Sequence, residues 1–242
     1  MENKGWDLNL VVVDLETTGL RPANDRILEI GAVRVEHGEI CATYEKLINP
    51  RMQIPYRVQE LTGITQDMAE RGCDGDEALR GFIDFCGNYP LLGHNVSFDY
   101  GFLRHKSVNM GLDFERTTID TLAIARKTLT DLPSKKLGAL CLHYQIQQDH
   151  AHRALDDAIN TWKLYCNLRE EFFEDYPELF SPRLVTYKVK KQGPITLSQK
   201  RYLNDLIRYH RIECNVDIES LTKNEASRMI DKIISNHGRI QR

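Results

Sequence analysis

The chain has 242 residues, 41% of them hydrophobic and 28% charged, an ordinary soluble globular composition with length enough for one core plus an appendage. No apolar run approaches the roughly 18 residues that span a bilayer, and the start, Met1-Glu2-Asn3-Lys4-Gly5-Trp6-Asp7, lacks a signal peptide's basic onset and apolar centre. A cytoplasmic protein with no membrane partner is therefore expected. Six cysteines (Cys41, Cys73, Cys86, Cys141, Cys166 and Cys214) are scattered without a C-x-x-C pair, which argues against a zinc site and a disulfide framework. Net charge becomes informative once the chain is divided: residues 1–182 carry 19 Lys+Arg and 29 Asp+Glu, net −10, whereas residues 183–242 carry 13 and 6, net +7. An acidic body thus precedes a basic tail, whose charges suit either solvated helix faces or contacts to nucleic-acid phosphates.

Leu8 to Val13 is a continuous apolar, β-branched run that predicts a strand buried on both faces, and it ends in Asp14 and Glu16. Residues two apart on a strand point the same way, so both carboxylates converge at one sheet end. Like charges held close raise each other's pKa unless a cation lies between them, and oxygen ligands of this kind suit Mg²⁺ or Mn²⁺. Alone, such a pair is also what a strand end opening into a solvated turn would carry. Thr17-Thr18-Gly19 follows as a sharp turn.

Ile27 to Val35 and Glu39 to Ile48 read as a second and third strand joined by the His37-Gly38 turn. Tyr56 to Thr62 is a short helix ending at Gly63, and Asp74 to Tyr89 carries Leu79, Phe82 and Ile83 at helical spacing. Leu91 to His94 predicts a short buried strand and Phe98 to Met110 a helix, with Ser97 as its cap and Asp99 in its first turn. A first-turn acid is ordinary in itself. Thr117 to Thr121 gives another short strand ending in Asp120, read as structural support for the site, with helices following through Leu129 and over Lys135 to Tyr144. Ala154, Ala158, Thr161 and Leu164 then mark a helix that begins just after His152 and holds Asp157. A lone His there would ordinarily be an exposed cap.

Asp14-x-Glu16 after an apolar strand, His94-Asn95-x-x-Phe98-Asp99, and His152-x-Ala154-x-x-Asp157 together resemble, in order, the three motifs of the DEDDh 3′-to-5′ exonucleases. These belong to the ribonuclease-H-like superfamily, which includes the proofreading exonucleases of bacterial replicative polymerases. The resemblance covers about residues 7 to 176. It implies an α/β fold with a mixed five-stranded sheet flanked by helices, and the family spacing selects Asp157 rather than Asp156. Leu61-Thr62-Gly63 resembles the family's loop beside the substrate, although some relatives carry a His where Thr62 stands.

The chemistry implied by the resemblance is hydrolysis with two Mg²⁺ or Mn²⁺ ions. Asp14, Glu16 and Asp157 would hold one, and Asp14 with Asp99 the second. His152 would take the proton from the attacking water. By the same similarity Thr17 would meet the terminal 3′-OH, Leu20 would wedge against the last base, and Thr62, Asn95 and Phe98 would line the substrate pocket. The expected substrate is a single-stranded or frayed 3′ end of DNA, with a DNA polymerase or another replication or repair protein as a candidate partner. Two alternatives stay open: the same chemistry on RNA, as in ribonuclease T or oligoribonuclease relatives, and a non-catalytic nucleic-acid-binding or polymerase-docking subunit.

Pro177, Pro182 and Pro194 with Gly193 read as a linker over residues 177–194, closing a catalytic domain at residues 1–176. Beyond it, residues 195–242 predict a small basic helical domain. Thr196 opens one helix with Tyr202, Leu203, Leu206 and Ile207 on one face, and a second follows Thr222 with Ala226, Met229, Ile230 and Ile233 inside.

Overall fold

The computed structural model describes residues 9–148, 153–189, 191, 193–214 and 216–241. Three antiparallel strands open the chain: β1 (Leu10–Thr17), β2 (Ile27–Glu36) and β3 (Glu39–Leu47). His37 and Gly38, both at positive φ, make the two-residue turn between β2 and β3 that matches strand twist. Two short helices, α1 (Tyr56–Thr62) and α2 (Gln66–Glu70), follow with their own small apolar centre of Leu28, Ile54, Ile64 and Ala69. After α3 (Gly75–Cys86) come β4 (Leu91–Gly93), α4 (Val96–Met110), β5 (Thr117–Asp120), α5 (Thr121–Thr128), α6 (Leu137–His143) and the long α7 (Ala154–Phe172).

The sheet runs β3-β2-β1-β4-β5 and adds a sixth strand, β6 (Arg183–Leu184), antiparallel to β5. It is mixed: β2 and β3 pair antiparallel, and β4 and β5 lie parallel to β1. Alternation along β1 divides the core. Val11, Val13 and Leu15 pack with α3 and α4 on one face, through Leu79, Phe82, Tyr100 and Leu103. Leu10 and Val12 pack on the other with α5, α6 and α7, through Ile124, Leu140, Trp162 and Leu164. With both faces covered, β1 is apolar from Leu10 to Val13, and beyond Asp14 only the α3–α4 face stays apolar, at Leu15.

The prolines near residue 180 punctuate turns and do not loosen the chain, which corrects the expected linker. Pro177–Phe180 forms a 3₁₀ turn with Pro177 at its start, and Phe180, 3% exposed, packs against Tyr165 at 5.8 Å and Phe173 at 5.7 Å between ring centroids. Thr117 and Thr118 then pair with Leu184 and Arg183. The Tyr187 ring fills the space above Gly101, where an added Cβ would lie 3.2 Å from it. The chain accordingly divides into two units, the first reaching Lys188 apart from Arg51–Gln53, which group with residues 189–242.

In the second unit α8 (Leu197–His210) and α9 (Lys223–His237) each begin with a capping box, Thr196 with Gln199 and Thr222 with Glu225. Leu203, Leu206, Leu221, Ala226, Ile230 and Ile233 are buried between them, and Pro194 bridges Thr222. Among the described residues no helix is long and apolar enough to cross a membrane.

The corrected boundary has a measurable consequence. Phe180→Ala should destabilise the first unit by about 3–5 kcal/mol, the usual loss for a buried Phe, and truncation after residue 176 should lower Tm relative to truncation after residue 188. Equal thermal stability of the two truncated proteins would restore the linker reading.

Candidate metal centre

Asp14 and Glu16 sit on the α7 side of β1, in line with Leu10 and Val12. Their cross-strand partners are Gly31 and Glu29 of β2. Gly31 explains how α7 reaches the carboxylates: a Cβ there would lie 2.0 Å from the Leu155 backbone nitrogen and 2.1 Å from the Ala154 carbonyl carbon. Only a residue without a side chain lets the helix start lie this close to the sheet. One turn into α7, Asp157 meets the pair, and ligand oxygens of Asp14, Glu16 and Asp157 all lie within 4.8 Å of one another. Asp156 is not part of this group, in agreement with the spacing of the third motif.

The helix start is also bonded to β2. Glu29 is fully buried, and its carboxylate accepts from Arg153 Nε at 3.1 and 3.2 Å, from Arg153 Nη2 at 2.5 Å and from the Ala154 N–H at 3.0 Å. Arg153 Nη2 lies 3.4 Å from Glu45 as well. An acid buried beside two others is thereby neutralised and made to hold the first turn of α7. Removing the guanidinium would leave an unpaired buried charge, a loss on the order of 3–5 kcal/mol. Neither Glu29 nor Gly31 stood out in the sequence. Glu29 is an acid inside an apolar run, Ile27-Leu28-Glu29-Ile30, and that interruption was the available signal.

Asp99 reaches β1 from the other side. β4 pairs with β1 only at Val11 and Val12, so the edge of β1 beyond is open, and the Leu15 N–H donates to Asp99 Oδ1 at 3.1 Å. Asp99 is 4% exposed and lies in the first turn of α4. That helix is not capped by Ser97 as expected. Asn95, left-handed at φ 70°, occupies the cap position, and its N–H donates to Asp120 Oδ1, which also accepts from the Leu122 N–H. Asp120 therefore supports the site by fixing the β4–α4 junction. His94 is structural in the same way, its ring placed between the Thr121 hydroxyl and the Lys135 carbonyl, and burial lowers its pKa.

Thr17 is buried, with its hydroxyl donating to the Gly19 carbonyl at 2.7 Å, while Leu20 beyond the turn is 81% exposed. Phe98 is half-buried, 5.1 Å from Phe102 between ring centroids. Thr62 is buried, and its hydroxyl donates to the Val58 carbonyl and accepts from the Ile64 N–H, closing α1. His152 lies outside the described residues.

Burial, then the neighbouring Asp99, Asp157, Glu16 and Glu29, raise the Asp14 pKa well above the usual carboxylate range. Glu16 is pushed up to about 8 by burial first and by Asp157 next. Asp99 is likewise raised to about 8, mainly by burial. Buried carboxylates this close cannot all ionise unless a cation joins them. The donors are all oxygens, the set that suits a hard divalent ion, and the group fits Mg²⁺ or Mn²⁺.

The family model described as Exonuclease matches residues 11–165. The chain belongs to the exonuclease family. Within that family its three motifs mark the DEDDh type, on the ribonuclease-H-like fold. The chain is similar to the DNA polymerase III PolC-type of Clostridium perfringens, 37% identical over 193 residues, 78% of this chain and 13% of that protein. The DNA polymerase III PolC-type of Thermotoga maritima is 40% identical over 205 residues, 84% of this chain and 14% of that protein. The chain thus spans about a seventh of the length of these relatives. Its fold resembles E. coli Exonuclease I in complex with a dT13 oligonucleotide, with TM-score 0.63 and 20% identity, covering 72% of this chain and 42% of that one. It also resembles the nuclease domain of 3′hExo, a DEDDh family member bound to rAMP, with TM-score 0.61 and 22% identity over 76% of this chain and 99% of that one.

The raised carboxylates set a pH dependence whose sign is fixed. Unfolded Asp and Glu titrate near 4, so between roughly pH 4 and 8 the metal-free folded state binds more protons than the unfolded one, and these groups lose stability as pH rises. In EDTA, their contribution should lower Tm from about pH 5 to pH 8, and Mn²⁺ should raise Tm more at the higher pH, where its ligands are deprotonated. An Mn²⁺ increment that is the same at both pH values would contradict a cation held by this cluster.

Proposed function

We propose that the protein is a metal-dependent 3′-to-5′ exonuclease that removes 5′-mononucleotides from DNA ends in a cytoplasmic replication or repair setting. The observation that carries this reading is the convergence of Asp14, Glu16 and Asp157 at one sheet end, with Asp99 bonded to the strand between the first two. DNA is chosen over RNA because the relatives at 37% and 40% identity are DNA polymerases III of PolC type.

Asp14, Glu16 and Asp157 would hold one divalent ion and Asp14 with Asp99 a second. Bound there, the ions would supply Lewis acidity to the scissile phosphate and to the departing 3′ oxygen. His152 takes a proton from the attacking water as its oxygen forms a bond to phosphorus, and the bond from phosphorus to the 3′ oxygen of the penultimate nucleotide breaks. That oxygen takes a proton from solvent and becomes the new 3′-OH, and His152 returns its own proton to solvent. The backbone of Thr17 would meet the terminal 3′-OH, and exposed Leu20 would wedge against the last base. Asn95 and Phe98 would line the pocket, and Thr62 would contribute through its backbone because its hydroxyl is engaged in α1. Such contacts see sugar, phosphate and stacking faces, so little base specificity follows. Residues 195–242 would serve this body as a nucleic-acid-binding or partner-binding appendage.

Asp14→Ala, Glu16→Ala, Asp99→Ala and Asp157→Ala should each abolish nearly all Mn²⁺-dependent release of mononucleotides from single-stranded DNA while the protein stays folded, and Asp156→Ala should remain active. His152→Ala should lower turnover by about 10²- to 10⁴-fold and remove the limb of the pH profile that rises through the imidazole range. An inactive Asp156→Ala beside an active Asp157→Ala would overturn the assignment of the third motif. Faster turnover on RNA than on DNA of equal length would replace the DNA reading with the exoribonuclease one.

A further inference from the structure

We propose that the outer face of α8 is a second nucleic-acid site, separate from the metal centre, on which a single strand lies with bases stacked on Tyr202 and Tyr209 and phosphates on Arg201 and Arg208. The proposal rests on the nuclease reading for its ligand class and on the second unit for its geometry.

Leu203 and Leu206 turn one side of α8 into the buried core of that unit. Arg201 and Arg208 lie on the opposite side, while Tyr202 and Tyr209, four residues before and three after Leu206, lie along the border of the buried side as the sequence spacing placed Tyr202; all four are exposed, Tyr202 at 37% and Tyr209 at 49%. Seven residues separate the two arginines and the two tyrosines, so each pair repeats after two turns, about 10 Å along one face. Neither guanidinium group has an ion-pair or hydrogen-bond partner among the described residues, whereas nearby Lys200 is paired with Glu219. Tyr209 is steadied edge-on by the His210 ring at 4.8 Å between centroids, and two partly exposed aromatic rings at a regular interval beside guanidinium groups are what a sequence-tolerant strand-binding surface needs. Rings stack on any base, and guanidinium groups meet phosphate. Residues 189–242 carry 11 Lys+Arg against 6 Asp+Glu, net +5, so the whole unit complements a polyanion and opposes the acidic body. Asp205 is the acid within the face, and it lowers affinity for phosphate there. Phosphate and base faces are common to DNA and RNA, so this surface takes either strand.

The test uses the full chain in EDTA, with labelled long oligothymidylate and oligouridylate as probes. Arg201→Gln with Arg208→Gln should weaken binding of both at least tenfold and make the salt dependence shallower by about 1.4, two single-strand phosphate contacts. Tyr202→Ala with Tyr209→Ala should weaken binding by a similar factor and leave the salt slope unchanged. Asp205→Asn should tighten it, a gain that loss of structure would not produce. Helical content and Mn²⁺-dependent cleavage of a dinucleotide should match wild type in all three. If the arginine and tyrosine variants bind both probes with wild-type affinity and salt slope, the face is no strand site and the proposal fails. A wild-type protein that cleaves no dinucleotide would instead overturn the nuclease reading, whatever the binding data give.

Discussion

Mutual repulsion among carboxylates at the end of β1 is the constraint on which the rest of the body depends. Asp14, Glu16 and Asp157 are held within 4.8 Å, with Asp99 and Glu29 next to them, and burial disfavours ionisation of Asp14, Glu16 and Asp99. Each is kept in place by a separate device. Strand register fixes Asp14 and Glu16 on one face. The Leu15 N–H, left open where β4 stops, fixes Asp99. Gly31 admits the start of α7, and the Glu29–Arg153 pair with the Ala154 N–H fixes it. Trp162 and Leu164 pack the body of α7 on the sheet, and the Glu29 contacts fix its first turn, which the acids themselves do nothing to draw in. The cost of the arrangement falls to whatever cation binds, which gives the metal a structural as well as a chemical part.

The central strand and its acids were legible in the sequence because a two-residue period is unambiguous in an apolar run, and because three ordered motifs constrain one another. Asp157 could be preferred to Asp156 from spacing, and the helix brings that residue to the group. Other parts were hidden for physical reasons. Glu29 lies in a strand whose alternation allows an outward acid, and only packing by α7 makes that position interior. Gly31 reads as a weak strand residue until the helix against it is known. Ser97 has the right chemistry for a cap, but Asn95 can take the left-handed conformation that the β4–α4 turn requires. Prolines 177 and 182 looked like a linker, although a ring that fixes φ serves a turn equally well, and buried Phe180 decides between the two.

The second unit follows a different logic. Its core is small, and two capping boxes supply local order that a larger domain would draw from burial. Gln199 Nε2 ties the start of α8 to the Lys223 carbonyl and the Ser227 hydroxyl, both at 2.9 Å, so the two helix starts are bonded directly. A scaffold ordered this way leaves the far side of α8 free of structural duty. That division, leucines inward, arginines outward and tyrosines along the border, is written in the seven-residue spacing of the sequence.

Occupancy of the acids at the end of β1 by divalent cations is the point on which the fold and the chemistry both turn. Crystals grown with Mn²⁺ and a 5′-mononucleotide, with data collected at the manganese absorption edge, test it most directly. An anomalous peak bounded by carboxylate oxygens of Asp14, Glu16 and Asp157 is expected, with a second on the side of Asp14 that faces Asp99. Crystals with manganese elsewhere on the protein and none among these four residues would contradict it.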